Sequence, residues 1–490
     1  MKAMFWVKLA AGFLVATVVV SNAAVAEQPA AAAAQAATGK VVNAASCSQA
    51  DVQKATDSAS DGDSVVVPAG SGTWATPVII ANKGITLRGA GINKTVITAA
   101  TGHQQCPLAV AGVEGKPLRI TGFTFNGTRS IGGTINLRGT CKDFRVDHCK
   151  ISNTPSQAEN GRGVMAGGYS YGVIDHCVIV VPEPGGAPYQ AVSFVGDGDA
   201  AWERPITLGT ANAAYVEDCI FYYVNSFADG ALDAYGGARY VFRHNTVINT
   251  MVGHHGLDSG GYRSPHSFEY YENTFITDPT IYHWATFHFR GGTGVVFNNT
   301  MTGYGAAILV TNYRSMRSYD PWGKCDGKNP IDGNEDPSGY PAKDQIGRTT
   351  GQKLDPLCEW NNILGGKHMD IGLNMGGEDH PELLQHIKEN RDYYNNTVKP
   401  GYTPYAYPHP LTLEPAERAQ APEPSPAPTL DTKPELTAAE REARMLLSHG
   451  EFLLRQQEPG TAKVLFNELV KRHPGTKYAE QATEHLGRMK

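Results

Sequence analysis

A chain of 490 residues has room for one large domain and something smaller, and 41% hydrophobic against 18% charged residues is the composition of a folded globular protein rather than a disordered or fibrous one. The formal charge is −6, or −8 once the two leader lysines described below are removed, which argues against nucleic acid or an anionic membrane as partner and leaves substrate charge open. The 54 glycines imply many turns, and the eight cysteines show no CxxC, CxxCH or zinc-type spacing.

Residues 1–26 read as a secretory signal, with Lys2 and Lys8 ahead of an apolar run over residues 9–20 and the small-residue cleavage site Ala24-Val25-Ala26. Export follows, to the periplasm, the cell surface or the medium. The apolar run is short for a membrane span, and no later stretch approaches the roughly 18 residues a span needs. Residues 27–44 form an Ala-rich spacer. The run SQADVQKATDSAS over residues 48–60 places Ala50, Val52, Ala55, Thr56 and Ala59 on one helical face behind Ser48 as N-cap. A helix there would cover the open end of a solenoid, whose last apolar coil otherwise meets water.

Over residues 228–302 one pattern is written three times: ADGALDAYGGARYVFRHNTVIN, GHHGLDSGGYRSPHSFEYYENTFIT and HWATFHFRGGTGVVFNNTMT. Each copy has an alternating run, a glycine turn, a second run rich in Val, Phe and Tyr, and then Asn before Thr, which is one coil of a repeating strand structure. A ladder extends the repeat to Cys149, Cys177, Cys219, Asn245, Asn273, Asn299, Asn361 and Asn396. Most intervals are close to one coil, and stacked Asn amides can satisfy buried turn groups from coil to coil. The three cysteines are expected to stack as small buried side chains. Cys325 and Cys358 flank an irregular insertion and are expected to close it, while Cys47, Cys106 and Cys141 are unassigned.

The run DVQKATDSASDGDSVVVPAGSGTW followed by KGITLRGAGINKTVI resembles the opening of right-handed parallel β-helix proteins of the pectate-lyase-like superfamily, and YYNNTVKPGYTPYAYPHPL resembles their closing segment. The resemblance covers residues 45–411 and implies the fold: mainly β, a parallel β-helix solenoid. It leaves activity open, because that fold carries lyases, hydrolases, isomerases and adhesins. Roughly ten coils at about 4.8 Å would give a rod near 50 Å long.

Alternation sends Ile135, Val164, Val192, Leu232, Leu257 and Phe287 inward, and therefore Asn136, Met165, Ser193, Asp233, Asp258 and His288 outward along one column. Two readings follow for the column. In a lyase, Asp233 and Asp258 would hold calcium against a uronate carboxylate while Arg290 or Arg263 acts as base or stabilises the enolate; the resemblance implies carboxylate-bound calcium and an arginine in this manner. In a glycoside hydrolase the same two carboxylates, roughly 5 Å apart, would be acid and nucleophile with His288 assisting, but the Asp-Asp pair and Arg-Ile-Lys run of the family's hydrolases are missing from the chain. A lyase is therefore favoured. Tyr235, Tyr262, Tyr282, Trp284 and His255 are candidates for stacking on or binding sugar, and His254, His266 and His283 lie in the same coils. The plainer alternative is that these polar groups only solvate the outside of a non-catalytic glycan-binding or envelope protein.

Between residues 313 and 359 the repeat stops, and Asp332, Asn334 and Asp336 form a D-x-N-x-D run with the look of a calcium loop, although Pro337 stands where such a loop needs Gly. Residues 412–437 form a Pro-rich linker. Helical periodicity follows over 438–455, 460–472 and 477–489, with Gly450, Ala462, Phe466 and Pro474 at offsets that resemble one tetratricopeptide repeat. Such a short module is expected to dock on the rod or to bind a protein partner.

Overall fold

The computed structural model describes residues 39–101, 105–127, 130–152, 161–181, 189–259, 262–414 and 436–489. The signal and most of the spacer and linker lie outside the described residues. Two large sheets carry the chain, twelve-stranded and nineteen-stranded, and their ladders are parallel except for one short hairpin. The larger sheet contains two ladders joined at a corner. Strands Ile220–Tyr235 and Thr246–Gly253 run around that corner, pairing at one end with strands such as Val178–Val181 and at the other with Tyr189–Val195 or Phe287–Phe289. Each coil therefore contributes to three faces, called here the first (the twelve-stranded sheet), second and third, in the order the chain visits them. This is a parallel β-helix, and each coil supplies the crossover that parallel pairing requires.

The corner between first and second faces shows how the sequence builds a coil. One residue there adopts a left-handed backbone: His148, His176, Asp218, His244, Glu272, Asn298 and Asn361, with φ between 48° and 57°. A non-glycine residue pays roughly 1–2 kcal/mol for this, and the residue that follows offsets it by turning inward to bond the next coil. Those followers are Cys149, Cys177 and Cys219, then Asn245, Asn273, Asn299 and Asn362. The Asn273 Oδ1 accepts both the backbone N–H and the side-chain N–H of Asn245, at 3.0 and 3.1 Å, and its amide donates to Phe242 O and Asn299 Oδ1. The rung after Asn299 is Asn362, whose Oδ1 accepts from Asn299 at 2.9 Å, and not Asn361, which takes the left-handed position before it. Asn396 is also left-handed and carries no rung. The cysteines stack as expected, with the Cys177 N–H donating to the Cys219 sulfur.

On the third face the inward column runs Leu108, Ile135, Val164, Val192, Leu232, Val252, Phe287 and Ile308. Val252 stands where Leu257 was expected. The coil after Thr246 reaches this face five residues sooner than the glycine-turn alignment implied, so Gly253 and not Asp258 lies between Asp233 and His288.

Helix Gln49–Ser58 covers one end of the rod, its N-cap Ser48 accepting from Asp51 N and its buried face being Val52, Ala55 and Thr56. The excursion between strands Ile308–Val310 and Leu357–Trp360 folds back on itself around Arg314, which is 1% exposed. Arg314 takes both oxygens of Asp332, at 2.9 and 2.7 Å, while Asn334 Oδ1 accepts from Gly339 N. The Asp332, Asn334 and Asp336 run is thus a turn organised by a buried arginine, which bonds both oxygens of its first carboxylate. Cys325 and Cys358 do not pair; all eight cysteines are thiols, and the Cys358 sulfur donates to Pro356 O. Farther on, Tyr402 and Tyr405 lay the closing segment over the first face, where Arg243 reaches Tyr405 O and Ala406 O.

Helices Ala438–Arg455, Pro459–Arg472 and Lys477–Arg488 dock on the outside of the second face. Ile92, Val178, Ile220, Ile248 and Ile276 form one apolar cluster with Leu446, Phe452, Leu453 and Phe466. An aliphatic side chain removed from water contributes roughly 1.5–3 kcal/mol, so five of them hold the module firmly. Glu458 adds bonds to Asn93 and Lys150, and the Thr246 hydroxyl meets His449 Nδ1 at 2.7 Å. Among the described residues no helix is long and apolar enough to cross a membrane.

Candidate active site

The third face gathers most of the residues that the sequence singled out, though not in the arrangement expected. Asp233 does point outward, in register with Ser193, yet it is 1% exposed. Its carboxylate is held from two sides, by Gln190 Nε2 at 2.8 Å and His255 Nδ1 at 2.6 Å. The backbone fixes this pairing, since the His255 N–H donates to Ala234 O, the carbonyl next to Asp233. An ionised carboxylate accepts only, so Nδ1 carries the proton and Nε2 is the basic nitrogen of the ring. The His255 side chain is 25% exposed, so part of the ring of a buried Asp-His dyad reaches the surface. Gln190 is held in turn by Arg162, whose Nε donates to Gln190 Oε1 at 2.8 Å, one coil further along.

Asp258 lies in the turn after strand Thr246–Gly253, where its Oδ1 accepts from Gly256 N and stands 3.7 Å from Arg290 Nη1. Its Oδ2 is buried with no hydrogen-bond partner. The Arg290 guanidinium also lies over the Tyr313 ring, at 5.4 Å. Asp233 and Asp258 therefore belong to different constellations, one paired with histidine and one with arginine, and the coil register gives no basis for an Asp-Asp pair.

His288 is outward in register but lies 1% exposed under Trp284, Tyr313 and Asn374, whose Nδ2 is 3.3 Å from His288 Nε2. Burial, with Arg290 next to it, pushes this imidazole well below its ordinary range, so it is neutral at pH 7. His254 is neutral for the same reasons, and both its nitrogens are engaged, by the Tyr240 hydroxyl and Gly291 N. His266 stacks on Trp202 at 4.3 Å and is pushed down to about 3 by burial beside Arg239. His283 stacks on Tyr304 inside the coil. None of these three faces the dyad.

Arg263 is consumed structurally. It grips both oxygens of Asp344, at 2.5 and 2.6 Å, also pairs with Asp199, and lies over Trp202. Of the aromatic candidates, Tyr262 is 52% exposed with its ring 4.7 Å from that of Tyr235, which is beside the dyad. Tyr282 is 76% exposed in another loop, and Trp284 packs on His288.

Sequence reasoning overlooked Arg138, Arg162 and Gln190. Arg162 stands over the Tyr235 ring at 5.9 Å, and exposed Arg138 shares its surroundings with Tyr235 and Arg162. Their signal was available in the coil spacing, because Arg162 and Gln190 occupy one position in successive coils. With Arg290 they put three guanidinium groups on this face, of which Arg138 is exposed, Arg290 partly exposed and Arg162 buried. A small cavity lined by Gly167, Ser170, Asp197, Arg204 and Arg239 lies around the neighbouring glycine turns and contains neither dyad residue. Among the described residues neither Asp233 nor Asp258 belongs to a three-ligand metal cluster.

No family model matches the chain, and no curated protein does. Among solved structures it is similar to a PL6 family polysaccharide lyase from Pseudopedobacter saltans, at 14% identity over 82% of this chain and 98% of that one with a TM-score of 0.39. An alginate lyase from a Paenibacillus species follows at 14% identity, covering 68% and 99%, with a TM-score of 0.32. The catalytic domain of a GH87 alpha-1,3-glucanase in complex with nigerose gives 11% identity, 73% and 67%, and 0.34.

Proposed function

We propose that the protein is an exported enzyme that cleaves a uronate-containing polysaccharide by β-elimination on its third face. The observation that carries this reading is the buried Asp233 carboxylate held at 2.6 Å from His255 Nδ1, on a face where Arg138 is exposed and Arg290 partly so. In the step, His255 Nε2 takes the C5 proton of a uronate and Asp233 stabilises the imidazolium that forms. The electron pair left on C5 becomes the C4–C5 double bond, the C4–O bond breaks, and the imidazolium returns its proton to the leaving oxygen. An arginine facing the uronate carboxylate lowers the cost of negative charge as C5 is deprotonated. Arg290, partly exposed beside Asp258, is the candidate for that arginine, with exposed Arg138 gripping a neighbouring sugar and Tyr262 offering a ring for stacking. Calcium is not needed in this scheme, since guanidinium groups supply the positive charge. The C-terminal helices belong to the same proposal as a tetratricopeptide-like module docked on the rod.

The test incubates the purified full chain with a panel of uronate polymers, with and without added calcium, and follows absorbance of the unsaturated product. The expected result is product from at least one polymer, unchanged by calcium and abolished in His255→Ala. A calcium requirement would restore the carboxylate-calcium scheme. No product from any polymer, with glycan binding weakened in Arg138→Ala, would make the face a binding surface and end the enzymatic reading.

A further inference from the structure

The inward column of the first face runs Ile120, Val146, Ile174, Val216, Phe242, Tyr270 and Val296, one residue per coil. The next residue in that column is Glu359. A fully buried carboxylate ends an otherwise hydrophobic stack, at the end of the rod opposite the capping helix. Burying a lone carboxylate costs several kcal/mol, so its surroundings matter.

Both oxygens of Glu359 are oriented by the protein: Oε1 accepts from Asn396 N at 2.7 Å and Oε2 from Asn362 Nδ2 at 3.0 Å. Above them the antiparallel hairpin Ile363–Leu364 and Lys367–His368 turns through Gly365 and Gly366, both with positive φ, and brings His368 back over the column. His368 Nε2 lies 3.3 Å from Glu359 Oε1 and 3.3 Å from Asp370 Oδ1, and it is buried with no hydrogen-bond partner. A charge-assisted N–H···O bond would be about 2.7–2.9 Å. Donors on a tetrahedral ion with bonds of about 2.0–2.1 Å stand roughly 3.3 Å apart and off the ring's lone-pair axis. The separations fit that tetrahedron edge and not a hydrogen bond. The three donor atoms all lie within 4.8 Å of one another.

We infer that Glu359, His368 and Asp370 bind a divalent transition metal of the zinc class, with water in the fourth position. One imidazole and two carboxylates suit zinc, whereas calcium takes six to eight oxygens. Asp370 is 68% exposed, which gives the ion a way in, and the amide bonds to Glu359 are the outer support that ligating carboxylates need. The ion neutralises the buried carboxylate and pins the hairpin across the end of the core. The site is separate from the Asp233-His255 dyad and independent of the proposed activity.

The experiment uses the full chain, stripped with chelator, dialysed and titrated with zinc by calorimetry, then with Co2+ while recording visible absorption. The expected result is one zinc per chain, a higher Tm, and cobalt bands of tetrahedral intensity. His368→Ala should weaken zinc binding at least tenfold and abolish the cobalt bands, and Asp370→Asn, an exposed change that leaves packing alone, should weaken binding as well. Zinc uptake equal in wild type and both variants would place the ion elsewhere and overturn the assignment. No uptake by wild type would leave an unmetallated Glu-His-Asp cluster and overturn it too. Calcium displacing zinc at equal concentration would refute the metal class.

Discussion

Replacing Asp233 by Asn tests the dyad more sharply than removing the histidine, because it preserves shape and changes only charge and proton placement. The carboxylate is 1% exposed and 2.6 Å from Nδ1. When the ring takes a proton at Nε2, the two charges are centred about 4 Å apart, worth about 4 kcal/mol at an effective dielectric constant of about 20. At about 1.4 kcal/mol per decade this is about 10³-fold in rate. A second effect adds to it. With Gln190 Nε2 still donating to the oxygen of residue 233, the new amide nitrogen faces His255 and donates to Nδ1, which moves the ring proton to Nε2 and removes the base. The expected loss in kcat/KM is therefore about 10³–10⁴-fold, carried mainly by kcat, with the far-ultraviolet spectrum unchanged. The assay is formation of unsaturated product from the best polymer of the panel. A variant within tenfold of wild type, while His255→Ala is inactive, would refute the idea that Asp233 orients and charges the base.

Other perturbations probe the scaffold. Asn273→Leu leaves the N–H groups of Asn245 and the carbonyl of Phe242 without partners, at about 1–3 kcal/mol each, so urea denaturation should show a loss of at least about 3 kcal/mol. Gly450→Ala puts a methyl 2.4 Å from the Phe466 ring and should loosen the helical hairpin by about 1–3 kcal/mol, read by hydrogen exchange in residues 438–489. His449 is pushed down to about 3 by burial. Its unfolded pKa is about 6.5, so between those values the unfolded chain binds the extra proton, and stability falls as pH is lowered through the window. From pH 6.5 to 5 that is about 2 kcal/mol. Acidification should increase proteolysis of the docked helices, and His449→Gln should flatten that pH dependence; an equally steep profile in the variant would assign the effect to other buried histidines.

The fold was legible because its signals repeat. Inward Ile135, Val164 and Val192, the three stacked cysteines and the Ser48 cap each restate one local rule, and an error in one coil leaves the others standing. The misplacements came where a coil departs from the average. Asn361 and Asn362 are adjacent, and only the left-handed turn decides which of them is the rung. In the coil after Thr246 the outer position falls to Gly253, a residue without a side chain to mark it. The alignment therefore moved on to Leu257 and Asp258, which satisfy the same apolar-polar pattern five residues later. Likewise, proximity of Asp332, Asn334 and Asp336 in sequence suggested a cation, but Arg314 supplies the positive charge from inside the chain.

The candidate site was half legible for a related reason. Sequence alternation says which side chains leave the core, and it placed Asp233 and His288 outside the rod correctly. It carries no information about what later covers that surface. Tyr313 and Asn374 bury His288, Asp344 neutralises Arg263, and Asn374 and Asp344 lie 86 and 81 residues away from the groups they meet. The excursion over residues 311–356, with Asn374 from the strand end beyond it, thus covers His288 and pairs Arg263, while the His255 side chain stays partly exposed. The chemistry proposed here depends on that sorting as much as on the coils, since an Asp-His dyad works as a base only where substrate can reach Nε2 and solvent cannot reach the carboxylate. Asp233 at 1% exposure meets the second condition, and His255 at 25% keeps part of its ring at the surface, where the first is tested.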